Sequence, residues 1–494
     1  MPPYIIGIDI GTGSTKAVAV TKTGTVIATA QVAYTTQHPK PDYSEQNPEE
    51  IWQAFSESIK SIVEKVNQPP SAISLSSAMH SLTAIDAEGK LLMPLVTWSD
   101  TRSEELAVII RSSDKAEEIY RDTGAPLHAM TPLCKIVWLK QNQPSVVIQA
   151  FKFISIKEYI WFKLFQRFQV DYSIACASGL FSIHERDWSP LALSTAGIQK
   201  QQLSEPVPTE YMHTGMQPAI ADLLTIPSDT PFCIGASDGC LANLGSFAIE
   251  KGVAAVTIGT SGAVRIASAV PLLHYQAMLF SYILDHHTFI CGGPINNGGN
   301  VLQWLLRQFL QKKAEPGQYQ KVFSQIDKIP PGSEGLIFLP YLYGERAPVW
   351  DEKSCGVFFG IRQQHTEAHF LRAALEGVCF AIKEVLQKVE QFSGSIHQIQ
   401  VSGGFVHSAT WVKLMADITG KRLCLVQTED ASALGAAFLT MKEMNWITDY
   451  TSLKPDSEMF IDPEKELQRV YEKNFGVFQL LYPQLKEVMH QLSS

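Results

Sequence analysis

YIIGIDIGTGSTKAVAV, residues 4–20, is the stretch from which the fold can be read. Two apolar runs of strand character, Tyr4–Ile10 and Ala17–Val20, flank a loop of small residues, Gly11-Thr12-Gly13-Ser14-Thr15-Lys16. A second turn signal, Lys22-Thr23-Gly24, leads into another run, Val26–Val32, so the order is strand, loop, strand, turn, strand. A Walker loop or a dinucleotide fingerprint runs from strand into helix, at spacings this stretch does not meet. The glycine-rich loop therefore lies inside a hairpin. Its N–H groups and the hydroxyls of Thr12, Ser14 and Thr15 can wrap anionic oxygens, Lys16 adds a cation, and Asp9 can hold Mg2+ through water. Taken alone, the stretch is read equally well as a plain glycine-rich hairpin turn.

A second copy changes that balance. Residues 252–265, GVAAVTIGTSGAVR, repeat the plan: strand, Gly259-Thr260-Ser261-Gly262, strand. Two such loops about half a chain apart point to an internal duplication. In carrying two such hairpins the chain resembles the actin-like, ribonuclease H-type ATPase fold, an α/β architecture of two domains in which the hairpins face one another across a cleft. The break is placed near Phe247–Lys251, giving domains 1–246 and 247–494.

Composition agrees with a large globular protein. The chain has 494 residues, too many for one core, with 45% hydrophobic and 18% charged residues. A formal charge of −9 without a long basic run argues against nucleic acid. MPPYIIGIDIG carries no signal-like region and no apolar stretch is long enough for a bilayer, so no membrane partner and a cytoplasmic location are expected. The eight cysteines form no CxxC pair and read as buried, reduced thiols. Asp285-His286-His287 lies between two strand-like runs and reads as a hairpin turn, with no third metal ligand evident.

Along the chain, Asn47-Pro48-Glu49-Glu50 opens a helix, and a strand follows at Ala72–Ser76. Met79-His80 and Trp98-Ser99-Asp100-Thr101-Arg102 then place polar and aromatic residues just beyond strand ends, where α/β sheets hold ligands. Each also has a structural reading: His80 as a satisfied histidine, Trp98 as a core anchor, Asp100 and Arg102 as an ion pair. Asp238 follows an apolar strand, Ile234-Gly235-Ala236, either as a chemical group or as an ordinary Asp-Gly turn. In the second half, Asn296-Asn297-Gly298-Gly299-Asn300 opens a helix over Val301–Leu310 and can point amides at an anion. A long amphipathic helix is expected over Thr366–Gln391, a bare glycine turn at Gly403-Gly404, a small-residue helix from Ser432, and an outer amphipathic helix over Pro463–Ser494.

These residues carry a resemblance to the FGGY carbohydrate kinases over nearly the whole chain. Met130 to Leu139 resembles one internal pattern of that family; Gly356-Val357-Phe358-Phe359-Gly360-Ile361, continuing to Ala373-Ala374-Leu375-Glu376, resembles the other. Ser77–Ser81, Trp98–Ser103 and Gly124–His128 are most similar to the gluconate kinases, although the Met-His pair is shared with xylulokinases. The resemblance implies Asp238 as catalytic base, with Asp9 and Asp238 as the acidic residues at Mg2+. It implies ATP held by Thr12, Gly13, Ser14 and Lys16, by Gly259 and Thr260, by Gly299 and Gln303, and by Gly403 and Gly404. Ser408 stands near that last turn where relatives such as glycerol kinases carry Asn. Met79, His80, Trp98, Asp100, Arg102 and Met130 fall at acceptor positions. A sugar acid needs a partner for its carboxylate; Arg102 and His80 are the candidates, Arg346 a third.

The implied function is transfer of the γ-phosphoryl group of ATP to a terminal hydroxyl of a sugar acid, D-gluconate giving 6-phosphogluconate, in a cleft between the domains. The alternatives are a xylulokinase or another polyol kinase and, from a different class, a non-catalytic ATP-dependent switch. The small-molecule sugar and ATP are the expected partners; a homodimer is left open.

Overall fold

The computed structural model describes residues 2–313, 316–425, 430–454 and 459–492. Contacts divide the chain into two units. The first is Met1–Phe247 with Ser268–Ile290 and Asp430–Lys454; the second is Ala248–Ala267 with Cys291–Glu429 and Pro455–Ser494. Two stretches from the second half of the sequence thus fold with the first unit.

In the first unit the opening meander forms strands β1 (Tyr4–Ile10), β2 (Ser14–Thr21) and β3 (Val26–Ala33). They join β4 (Ala72–Ser77), β5 (Met212–His213) and β6 (Phe232–Cys233) in a sheet of order β5-β6-β4-β1-β2-β3. β1 runs antiparallel to β2 and parallel to β4, and β6 runs parallel to β4. One face of β1 presents Tyr4, Ile6, Ile8 and Ile10 to a core shared with Ile51, Phe55 and Ile59 of the helix Pro48–Val66. That helix starts where Asn47 accepts a hydrogen bond from the Glu49 amide, and it stops at Asn67 in the left-handed conformation. The opposite face of β1 meets the helix Ala431–Glu443 so closely that only glycine fits at Gly7: an added Cβ would lie 1.9 Å from the Ala433 carbonyl oxygen. The same helix meets the helix Asp238–Gly245 at Gly435 and Gly245, each without room for a side chain. The run of small residues from Ser432 is thus a surface made for backbone contact.

The second unit repeats the plan. Strands β7 (Val253–Ile258) and β8 (Gly262–Ser268) form an antiparallel hairpin, and β9 (Gln398–Ser402) lies parallel to β7. β10 (Arg422–Leu425) and β11 (Met459–Ile461) extend the sheet in the order β8-β7-β9-β10-β11. A hairpin flanked by a parallel strand, as in β2-β1-β4, therefore occurs twice, in line with the duplication read from the two glycine loops. The helix Glu367–Ser393 starts after Thr366 and runs 27 residues. On it Phe380 packs against Phe475 and Phe478 of the final helix, Gln468–Leu492, at ring distances of 5.8 and 5.5 Å.

Several elements differ from expectation. The helix expected over Val301–Leu310 begins at Gly299 and ends at Trp304, and the chain continues through a π-helical turn, Leu305–Phe309. The strand expected into Asp238 is only Phe232–Cys233, and Asp238 is the first residue of a helix rather than part of an Asp-Gly turn. Asp285-His286-His287 is a turn, between strands Phe280–Asp285 and Thr288–Ile295. All eight cysteines are free and seven are buried. Among the described residues no helix is long and apolar enough to cross a membrane.

Candidate active site

In the first unit the chemistry collects at one end of the sheet, beyond the carboxyl ends of β1 and β4. Asp9 and Lys16 face each other across the β1–β2 hairpin. The Gly11 amide donates to the Ser14 carbonyl at 3.0 Å, leaving Thr12 and Gly13 at the tip. Three side chains fasten that tip. Tyr34 donates its hydroxyl to the Gly11 carbonyl at 2.5 Å, the Gln46 amide reaches the Thr12 carbonyl, and the Trp98 indole N–H reaches Thr12 Oγ1 at 3.0 Å. Gly13 has nothing within 4 Å of where a Cβ would stand, so that side of the tip is open.

Next to this hairpin stand two carboxylates. Ser76, at the end of β4, donates to Asp9 Oδ1 at 2.8 Å, and Ser77 bridges in parallel to Ser237, the residue before Asp238. Asp238 accepts the Gly239 amide on Oδ1 at 2.6 Å and remains partly exposed. Burial, and then the Asp238 charge, push the Asp9 carboxyl up to about 7, while Ser76 and Lys16 oppose the rise. Lys16 in turn pairs with Asp430 at 3.2 Å, at the head of the helix Ala431–Glu443. Asp430 also acts on Asp9 as a like charge. Two adjacent carboxylates and a serine hydroxyl form a hard oxygen donor set, the kind magnesium takes, and their mutual repulsion is what a divalent cation relieves. Among the described residues no cluster of three or more Asp, Glu, His or Cys side chains is arranged as a metal cage. The residues fit a magnesium held largely by water and phosphate.

The acceptor candidates belong to loops tied to one another. His80 is buried in a left-handed conformation (φ 66°), its Nδ1 at 2.7 Å from the Ala177 carbonyl. Lys135, on the helix Pro132–Asn142, is fully buried and donates to the carbonyls of His80 at 2.5 Å and Thr97 at 2.7 Å. One ammonium thereby joins the two acceptor loops, and burial pulls its pKa down to about 7. Met130 is buried and Met79 partly so; Ser103 fastens the neighbouring loop by donating to the Ala129 carbonyl at 3.1 Å. Asp100 accepts the Ser44 amide at 2.7 Å and both Nε and Nη2 of Arg102, at 2.8 and 2.6 Å. Arg102 also binds Glu45 at 2.6 Å and lies 3.6 Å from the Tyr43 ring centroid. Its guanidinium is thus engaged by two carboxylates and an aromatic face, which ties the Asp100 loop to Tyr43 and Glu45.

The second unit brings together the remaining predicted positions. β7 and β9 end side by side, with Thr257 opposite Ser402, so the Gly259 hairpin and the Gly403-Gly404 turn emerge at the same edge. The Gly299 amide donates to the Gly259 carbonyl at 2.7 Å, and Gly298 and Asn300 both donate to the Thr260 carbonyl at 3.2 Å. Gln303 is exposed one turn further on. Gly403 adopts φ 97° with its backbone against Ile258, where a Cβ would lie 2.4 Å from the carbonyl oxygen. Nothing lies within 4 Å of where a Cβ would stand on Gly259 or Gly404. Ser408 is buried and caps the helix Ala409–Thr419 by accepting the Trp411 amide. Arg346 donates to the Ile295 carbonyl at 2.9 Å. Beside it, Glu345 accepts the amides of Asn296 and Arg346 and the Asn297 side chain; burial raises its pKa to about 7. Glu345 thus fixes the loop that leads into Gly298-Gly299.

Sequence reading passed over Tyr34, Gln46, Lys157, Glu345 and Asp430. A signal existed for the region of Lys157: Ser155 followed by Glu158 is a capping box opening an apolar helix, Ile156–Phe165, in which a lysine is out of place.

Residues 4–245 match the N-terminal domain of the FGGY family of carbohydrate kinases, and residues 254–444 match its C-terminal domain. A gluconokinase of Bacillus licheniformis is 39% identical, with all of both chains covered. The structure of a gluconate kinase from Lactobacillus acidophilus superposes with a TM-score of 0.94 at 31% identity, covering 100% of each chain. A xylulose kinase from the same organism gives 0.93, also at 31% identity, over 99% of this chain and 100% of its own. Backbone likeness therefore does not separate the two acceptors. The architecture is the two-domain, actin-like ATPase type of α/β fold, and the chain belongs to the FGGY family of carbohydrate kinases, phosphotransferases with an alcohol group as acceptor.

Proposed function

We propose that this kinase takes D-gluconate and ATP to 6-phosphogluconate and ADP, with Asp238 as general base. The observation that carries the reading is the convergence of Asp9, Lys16 and Asp238 at one end of the first sheet. The full-length likeness to a gluconokinase favours a sugar acid over xylulose as the acceptor.

The acceptor hydroxyl attacks the γ-phosphorus in line with the bridging oxygen to the β-phosphate. As the new O–P bond forms and the old one breaks, Asp238 takes the hydroxyl proton and ADP leaves with the bond's electron pair. The hairpin tip at Thr12-Gly13-Ser14, with Lys16, supplies N–H, hydroxyl and ammonium donors for the transferring phosphoryl group. Lys16 spends one of its three N–H donors on Asp430 and has two left for phosphate oxygens. Gly259, Thr260, Gly299 and Gln303 hold the nucleotide phosphates and ribose; Gly403, Gly404 and the Ser408 turn take the adenosine. Magnesium, when bound with the nucleotide, supplies neutralising charge near Asp9 and Asp238. The rest is positioning: Met79, His80, Trp98, Asp100, Arg102 and Met130 shape the acceptor pocket, and correct placement alone is worth several powers of ten in rate. Residues 1–246 form the acceptor half and 247–494 the nucleotide half, apart from the segments that return to the first unit.

The test is ADP release with gluconate and D-xylulose side by side, for the parent and Asp238→Asn. Gluconate turnover well above that on xylulose, lost by ~10²–10⁴-fold in the variant with ATP binding retained, is the expected result. Near-parental turnover in Asp238→Asn removes it from the base role; a preference for xylulose replaces the acceptor and keeps the kinase.

A further inference from the structure

The first unit buries an ion pair that the phosphoryl transfer just described does not use. Lys157 and Asp171 meet at 2.8 Å with side-chain exposures of 1% and 0%. Burial alone disfavours both charges, and removing two charges from water commonly costs more than their attraction returns. What the pair holds in place is therefore informative. Lys157 Nζ also donates to the Ala236 carbonyl at 2.9 Å. Asp171 caps the short helix Tyr172–Ala177 through the Ile174 amide at 2.9 Å. On that helix, Ser173 Oγ accepts the Ser237 amide at 3.1 Å and bonds the Ser237 hydroxyl at 2.8 Å. Ala236 and Ser237 are the two residues before Asp238. They lie between a two-residue strand and the start of a helix, where a sheet ladder gives only the single bridge from Ser77 to Ser237. Side chains do there what a longer strand would do through its backbone.

We propose that Lys157, Asp171 and Ser173 are positioning residues for the general base: they fix the Ala236 carbonyl and the Ser237 amide, and so aim the Asp238 carboxylate at the acceptor hydroxyl. This rests on the reading of Asp238 as base. None of the three needs to touch substrate. A displacement of about 1 Å at a catalytic group costs on the order of 10²-fold in rate, so a loosened backbone at 236–237 is costly even with Asp238 intact.

Lys157→Met alone strands a buried carboxylate and risks losing the fold. The informative variant is Lys157→Met with Asp171→Asn, which removes both charges together and keeps a side-chain oxygen at the helix cap. Expected is a thermal midpoint near the parent's, with kcat on gluconate reduced ~10- to 100-fold and KM for both ATP and gluconate within about twofold. Added to Asp238→Asn, the same pair of changes is expected to lower kcat no further, because the network acts only through that carboxylate. Parental kcat in the charge-free variant would make the pair plain core support and overturn the proposal. So would a further loss on top of Asp238→Asn. Near-parental turnover in Asp238→Asn itself would overturn the base assignment first, an outcome distinguishable from the other two.

Discussion

Replacing Gly7 by alanine tests fold and site together. Gly7 lies in the middle of β1, two residues before Asp9, and its added Cβ would stand 1.9 Å from the Ala433 carbonyl oxygen. Ordinary contact begins at 3.4 Å, so β1 and the helix Ala431–Glu443 must separate by up to 3.4 − 1.9 = 1.5 Å. Both neighbours are backbone and neither can rotate away. Overpacking of this kind costs 1–3 kcal/mol when side chains can adjust, and here the upper end, ~3 kcal/mol or more, is expected. If the variant folds, Asp9 on β1 and Asp430 at the head of the helix move apart, and turnover falls by about 10²-fold. Urea melts of the purified protein read the first effect, and ADP release at saturating substrates reads the second. Gly13→Ala, the same chemical change at the hairpin tip, is the control. Nothing lies within 4 Å of its added Cβ and its φ is not positive, so stability is expected to stay within about 0.5 kcal/mol. The KM for ATP is expected to rise. A Gly7→Ala protein that melts and turns over like the parent would refute the backbone packing of β1. An unchanged ATP KM in Gly13→Ala would take the tip away from the phosphates.

Further expectations follow from the charges at the site. Asp9 titrates near 7 rather than 3.8, so the nucleotide-free folded chain holds a proton the unfolded chain gives up; that stabilisation is complete below about pH 4 and lost as pH rises through about 7. Asp9→Asn removes the liability. Its urea stability should exceed the parent's by ~2 kcal/mol at pH 8, about half the ~4 kcal/mol ceiling because Asp9 keeps some solvent contact, with a gap that closes toward pH 4; a gap independent of pH would refute the assignment. Arg102→Ala leaves Asp100 and Glu45 without their cation and should raise KM for gluconate and xylulose alike, tenfold or more. An effect confined to gluconate would instead make Arg102 the carboxylate's partner.

How much of this was legible in the sequence depended on whether a feature is local. The two hairpins could be read because glycine runs between strand-like apolar runs have few other solutions, and the helix at Pro48 because Asn47, Pro48 and Glu49 signal its start within three residues. Asp238 as a helix start was missed, since its strand is too short to show a period and Asp-Gly reads locally as a turn. Lys157 stayed hidden because the helix Ile156–Phe165 is buried on most sides and has almost no amphipathic pattern by which to orient its side chains. The phosphate hairpins and the polar block from Met79 to Arg102 could be read from local pattern and the role of Asp238 came through the family resemblance, whereas the groups that hold them in place — Tyr34, Gln46, Lys135, Glu345 — act over long sequence separations that no window of sequence contains.

The return of residues 430–454 to the first unit has a consequence for synthesis. A ribosome that has just released Phe247 has made most of that unit, yet the helix that covers β1 at Gly7 is still unmade. Another 443 − 247 = 196 residues must follow before it is complete. At 5–20 residues per second the nascent chain waits ~10–40 s with one face of its central strand uncovered. Throughout that interval an apolar sheet face is open to chaperones or to neighbouring chains. A fragment ending at residue 246 would keep it open permanently.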